Sequence, residues 1–208
     1  MNLKLIDFIG NVQLSNMSDG SVSVESSKQA EAVQSLLTGY RGQVDALIPK
    51  ALTLMKNQKK TVLFMVGPPC SGKSHVAGKI KTAMGRMAPN IISSDKIRDT
   101  NFKPPTYSKE ESTMVFKLLY VQVEGRMRTG ENIIVDSTGF YRNEIDVLSN
   151  RYNYNVVFFC FWPPFEVLLA QNPNNRPEDL LKIYREKISG GKYVYPPRSP
   201  SFKHVWMV

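Results

Sequence analysis

The sequence predicts an α/β domain built on a parallel sheet with helices on both faces, preceded by a small N-terminal helical extension. Two observations carry that expectation. From residue 61 onward, short β-favouring apolar runs alternate with segments of helical period, the order that a parallel sheet with crossover helices requires. The first of those runs, Thr61 to Val66, contains five consecutive apolar residues after its threonine, so it is expected to be buried on both faces. A chain of 208 residues has room for one core of ordinary size. Its 42% hydrophobic and 22% charged residues exclude the disordered class.

The elements follow in order. Residues 1–25 mix short apolar runs with Gly10, Asn11, Asp19 and Gly20 and read as short strands or an arm. Ser26 and Gln29 resemble a capping box, after which Val33, Leu36, Leu37 and Tyr40 share one helical face. Gly42 is expected to interrupt that helix. Val44, Leu47, Ile48, Ala51 and Met55 then resume the period, and Pro49 kinks the second helix unless it falls in the first turn. The extension therefore spans residues 1–60 and the main domain 61–208. Within the latter, strands are expected at 61–66, 90–93, 132–136 and 155–161, with a short last strand at 205–208. Helices are expected at 72–84, 109–127, after Arg142, at 165–170 and at 178–188.

The segment Gly67-Pro68-Pro69-Cys70-Ser71-Gly72-Lys73-Ser74 matches G-x-x-x-x-G-K-[ST] between a strand and a helix, the context in which that pattern has mechanical meaning. Such a loop turns its backbone N–H groups inward as an anion nest, and the following helix adds the positive end of its dipole. This predicts a P-loop NTPase-type three-layer fold that binds ATP or another nucleoside triphosphate. Lys73 neutralises the β- and γ-phosphates, and Ser74 ligates Mg²⁺. Cys70 either fills the loop as a small residue or responds to oxidation beside the phosphate.

A phosphate loop specifies a nucleotide but no reaction. The second strand ends in Ser93-Ser94-Asp95-Lys96-Ile97-Arg98, at the sheet edge where the loop lies. There Asp95 can accept the proton of an attacking hydroxyl, and Arg98, one turn on, can hold an acceptor phosphate. The other reading makes Asp95 a helix cap and Arg98 its surface partner. Asp136, emerging from the third strand, either orients Mg²⁺ and its water or serves as a structural carboxylate. Arg176, in the polar turn 172–179, is either a lid arginine or a solvated loop residue.

In these residues the chain resembles the polynucleotide 5′-kinase family of phosphate-loop phosphotransferases. The likeness runs from Thr61 to Ser189 and rests on GPPCSGKS, SSDKIR, VDSTGFYRNE and NRPEDLLKIYREK, in that order. It implies that Lys73 and Ser74 bind nucleotide and metal. It also implies that Asp95 is the general base, that Arg98 binds the acceptor phosphate, and that Arg176 contacts the donor phosphates. This lid holds one arginine where the family has a basic cluster. The chain has no D-x-D-x-T motif, so the 3′-phosphatase joined to the family's phage member is not expected. Residues 1–60 have no counterpart.

Three functions are compatible with the sequence. The leading one is ATP-dependent phosphorylation of a nucleic-acid hydroxyl, such as a 5′-OH end of DNA or RNA, with hydroxymethyl groups on modified phage DNA bases as a close variant. A formal charge of +9 favours a polyanionic partner, although a solvated basic surface is the plain alternative. Tyr193, Tyr195, Arg198 and Lys203 interleave rings with cations, as a single-strand stacking path does and as half-buried core tyrosines also do. The second function is a small-molecule kinase related to antibiotic phosphotransferases and zeta-type toxins. The third is a nucleotide-dependent regulator acting through residues 1–60. No apolar run reaches the roughly 18 residues of a membrane span. The N-terminus is a poor secretory signal, and two cysteines cannot build a disulfide framework. A cytoplasmic protein without a membrane partner is expected, with homo-oligomerisation left open.

Overall fold

The computed structural model describes residues 24–58, 60–172, 181–182 and 202–208. Helices α1 (Val24–Asp45) and α2 (Leu47–Asn57) lead into β1 (Thr61–Val66) and α3 (Lys73–Met84). Next come β2 (Asn90–Ser93), α4 (Ser94–Asn101), α5 (Lys109–Arg128), β3 (Ile133–Ser137) and α6 (Arg142–Tyr152). The described elements end with β4 (Asn155–Cys160), α7 (Phe165–Ala170) and β5 (Phe202–Met207). The strands form one sheet in the order β2-β3-β1-β4-β5, and every pair is parallel.

The apolar runs are continuous because both faces of the sheet are covered. Alternate side chains of one strand enter different cores. Val62, Phe64 and Val66 of β1, with Val156, Phe158 and Cys160 of β4, pack under α4, α5 and α6 through Ile97, Val115, Leu119, Val123, Ile145 and Leu148. Leu63, Met65, Val157 and Phe159 point the other way, toward Leu37, Tyr40 and Val44 of α1, Ala51 of α2 and Val76 and Ile80 of α3. The Phe64 and Phe158 rings stack at 5.3 Å between centroids, a pairing worth roughly 1 kcal/mol beyond burial. The two N-terminal helices thus belong to the same core as the sheet. Their end is fixed below it, where Asn132 accepts from Thr61 N–H at 3.0 Å and donates to the Met55 carbonyl at 3.0 Å.

Several boundaries differ from the sequence expectation. Helix α1 does not begin at the Ser26 capping box, since residues from Val24 are already helical. Nor does Gly42 interrupt it. A glycine inside a helix costs about 1 kcal/mol, and burial of Tyr40 and Val44 on either side outweighs that. The chain breaks instead at Ala46, and Pro49 lies in the first turn of α2, where its missing N–H forfeits no helical bond. Leu36, expected on the buried face, is exposed. Helix α4 was expected only as the turn that carries Asp95 and Arg98, since Ile97 is its only apolar residue, and its cap is Ser93 rather than Asp95. Strand β5 begins three residues earlier than expected. The strands expected before residue 24 lie outside the described residues, as does the helix over 178–188 apart from the helical pair 181–182. Among the described residues no helix is long and apolar enough to cross a membrane.

Candidate active site

Strands β1 and β3 are neighbours, but the helices that follow them, α3 and α6, lie on opposite faces. That divergence opens a crevice at the carboxyl ends of the strands, the usual ligand position in such sheets. Residues 69–74 line it. A cleft of about 280 Å³ is bounded by Pro69 to Ser74, His75, Ser94, Asp95, Asp136, Ser137, Thr138 and Gln171.

The loop needs its two glycines for different reasons. At Gly67 a Cβ would lie 2.6 Å from the Phe161 carbonyl oxygen and 2.9 Å from its Cβ, so only glycine lets the chain leave β1 against β4. Gly72 has φ +89°, a left-handed conformation that side chains resist. It is also the residue before α3, and with no side chain there to cap the helix, the first-turn N–H groups and the positive dipole end face the cleft. The ammonium of Lys73, buried with the loop, donates to the carbonyls of Gly67 and Pro68 at 3.0 and 2.6 Å and to Ser71 Oγ at 3.3 Å. Cys70 closes the outer side, its Sγ 3.5 Å from Asn172 Oδ1.

Across the crevice, Asp136 at the end of β3 accepts from Ser74 Oγ at 2.6 Å. This places a hydroxyl and a carboxylate side by side, a hard-oxygen pair suited to Mg²⁺. Among the described residues no three His, Cys, Asp or Glu side chains cluster to hold a metal by themselves. A divalent ion here would therefore complete its shell with waters and phosphate oxygens.

Asp95 stands in the first turn of α4, capped at its start by Ser93, and its carboxylate is half-exposed on the same cleft. Arg98 lies one turn on, its Nη1 3.7 Å from Asp95 Oδ1. Its guanidinium is largely enclosed: Nε donates to Glu111 at 2.7 Å, Nη2 to Ser112 at 3.3 Å, and the exposed ring of Tyr107 lies 4.8 Å above it. Burial opposes ionisation of Glu111. Hydrogen bonds from the Thr106 hydroxyl and N–H and from Arg98 more than offset that and hold its carboxyl below the usual range.

The structure thus gathers Gly67, Pro68, Pro69, Cys70, Ser71, Gly72, Lys73, Ser74, Asp95 and Asp136 around one crevice, with Arg98 at its edge. Arg176, Tyr193, Tyr195 and Arg198 lie outside the described residues. Sequence reasoning missed three contributors: Glu111 and Tyr107 around Arg98, and Tyr40, whose hydroxyl reaches the loop. Tyr40 left a signal as part of the apolar face of its helix, and Glu111 as the acid of a Ser108-x-x-Glu111 capping-box spacing.

A family model described as an AAA domain matches residues 62–179. No curated protein sequence matches the chain. Among solved structures, a protein from Chloroflexus aurantiacus, provisionally named a kinase, is 15% identical with a TM-score of 0.53, over 73% of this chain and 88% of that one. A chain of the Pnkp1/Rnl/Hen1 RNA repair complex is 20% identical with a TM-score of 0.50, over 65% of this chain and 46% of that one. Shikimate kinase from Acinetobacter baumannii is 15% identical at a TM-score of 0.49, over 74% and 87%. At these identities the first two similarities speak for the fold.

Proposed function

This chain belongs to the AAA-domain family, and from that premise we propose that it is an ATP-dependent phosphotransferase whose acceptor is a hydroxyl on nucleic acid, a 5′ end in the simplest case. One observation carries the reading. The carboxylate of Asp95 opens onto the same cleft as the phosphate loop, the position from which a base can serve an acceptor attacking a bound γ-phosphate.

The loop N–H groups and Lys73 hold and neutralise the donor phosphates. Ser74 and Asp136 would hold Mg²⁺, which when bound offsets charge on the β- and γ-phosphates. Asp95 takes the acceptor's hydroxyl proton as the acceptor oxygen bonds to the γ-phosphorus. The bond from that phosphorus to the β-bridging oxygen breaks, and the electron pair leaves on ADP. Arg98, held by Glu111 and Ser112, fixes the carboxylate one turn below it. Arg176, which follows α7 in sequence, would contact the donor phosphates.

The nucleic-acid acceptor is supported by the +9 charge and by the exposed Tyr107 ring against Arg98, a surface whose other face a base can stack on. The likeness to a chain of an RNA repair complex points the same way. One observation favours a smaller, uncharged acceptor instead. The Arg98 charge is already opposed by Glu111, which reduces its pull on an acceptor phosphate.

The test is transfer of labelled γ-phosphate from MgATP to a 5′-hydroxyl oligonucleotide, with a 5′-phosphorylated oligonucleotide, a hydroxymethyluracil duplex and no nucleic acid as controls. The 5′-hydroxyl strand is expected to be labelled. Asp95→Asn is expected to lose at least about 100-fold in rate while still binding MgATP. MgATP binding without label on any nucleic acid would refute the acceptor class.

A further inference from the structure

Helix α1 lies behind the phosphate loop. Tyr40, buried at 4% exposure, donates its hydroxyl to the Ser71 carbonyl at 2.8 Å. One turn on, Val44 faces Gly72, its Cγ1 3.6 Å from where a Cβ on that residue would stand. Asp45 then ties the same end of α1 to α3, with Lys79 Nζ at 3.0 Å and His75 Nε2 at 3.4 Å. Loop residues Pro69 to Ser74 line the cleft, whereas Tyr40 and Val44 do not. The helix therefore meets the loop away from the cleft lining.

A peptide unit is planar and trans, so the C=O of Ser71 and the N–H of Gly72 point in opposite directions. Holding the carbonyl toward Tyr40 directs the Gly72 N–H toward the cleft, where the nest must present its donors. Within the loop, Lys73 Nζ donates to the Ser71 side chain at 3.3 Å, while Tyr40 donates to the Ser71 carbonyl from outside it. Gly72 is free of the steric limits that would block rotation of the peptide on its side. The buried Ser71 carbonyl has in Tyr40 a donor that persists at any working pH, because burial pushes the phenol pKa well above its ordinary value.

We propose that Tyr40 is a positioning residue for phosphate binding, and that helix α1 is thereby a working part of the nucleotide site. The inference rests on the loop binding a nucleoside triphosphate but is independent of the acceptor.

The test uses the full chain carrying Tyr40→Phe, which keeps the ring and removes the donor. The control is Tyr154→Phe, which removes the part-buried hydroxyl of another buried tyrosine, one that donates to the Glu131 carbonyl at 2.8 Å away from the cleft. Affinities for MgADP and MgATP are measured by calorimetry and stability by thermal melting. Tyr40→Phe is expected to weaken both nucleotides about tenfold, the worth of one buried hydrogen bond, and Tyr154→Phe to leave them unchanged. Equal affinity in Tyr40→Phe and the native chain would overturn the inference alone, as would equal losses in both variants. If the native chain bound neither nucleotide, the phosphotransferase reading would fall with it. Hydrogen exchange on the native chain needs no variant. MgADP is expected to slow exchange around residues 40–44, by the reciprocity of coupled sites, and unchanged exchange there would count equally against the proposal.

Discussion

Substituting alanine for Gly67 tests whether the phosphate loop is seated as closely against β4 as the geometry requires. The added Cβ would stand 2.6 Å from the Phe161 carbonyl oxygen, where ordinary contact begins near 3.4 Å, so the loop or β4 must yield by about 0.8 Å. Neither side gives easily. Phe161 N–H is bonded to the Val66 carbonyl at 2.8 Å, and the Phe161 side chain is fully buried. The φ at Gly67 is +157°, at the far edge of a region that L side chains rarely adopt, so backbone strain adds to the overlap. Overpacking of this kind costs about 1–3 kcal/mol, and at roughly 2–4 °C per kcal/mol for a chain of this size the melting temperature should fall by several degrees. Function should suffer more. A displacement approaching 1 Å at a site that works by positioning costs on the order of 100-fold in rate, and MgATP affinity should drop with it. Thermal melting and calorimetric titration of Gly67→Ala provide the measurements. A variant that melts within about 1 °C of the native chain and binds MgATP equally would refute the close seating.

Two further outcomes follow from groups whose ionisation the fold displaces. The Glu111 carboxyl is depressed in the folded state, so its contribution to stability is present above the unfolded glutamate value of about 4.3 and disappears as pH falls through the folded value. Urea melts at stepped acid pH should therefore show Glu111→Gln losing less stability below pH ~4.3 than the native chain does, and parallel losses would contradict the assignment. Burial pushes the Cys160 thiol up to about 12, whereas Cys70 is partly exposed on the cleft. Iodoacetamide at mildly alkaline pH should label Cys70 alone in the folded protein, MgATP should slow that labelling, and early labelling of Cys160 would show the β4 core to be open.

What could be read in the sequence depended on how locally each feature is encoded. Strands β1 and β4 carry their burial in unbroken apolar runs, and the loop carries its conformation in glycines at fixed spacing, so both were legible. Helix α4 was legible only as the turn joining Asp95 to Arg98, because it is held by its Ser93 cap and by Arg98 buried against Glu111 rather than by an apolar stripe that would mark its length. Gly42 misled for the opposite reason. Its local penalty is real, but Tyr40 and Val44 are paired with partners far along the chain, at the loop and under the sheet. Glu111 stands at capping-box spacing from Ser108, whose Oγ accepts its N–H at 3.1 Å, which marks the helix start but not the Thr106 and Arg98 donors that the fold brings onto its carboxylate.

The same dependence on distant partners explains how a loop rich in glycine and proline keeps one shape. Its entry is set at Gly67 by the backbone of Phe161, which follows β4. Its exit is set at Ser71 and Gly72 by Tyr40 and Val44 of α1, and Ser74 is bonded to Asp136 of β3. Three segments that are remote in sequence therefore fix three successive parts of one anion nest, and the conformational entropy of ordering the loop, about 1–2 kcal/mol per residue of backbone, is offset by these contacts together with the Lys73 bonds inside it. A loop held in this way presents its donors before a ligand arrives, which is the condition under which electrostatic stabilisation carries no reorganisation cost. Loss of any one holder should then weaken phosphate binding without changing a residue that touches phosphate, and α1 is the holder whose sequence gave no motif to announce it.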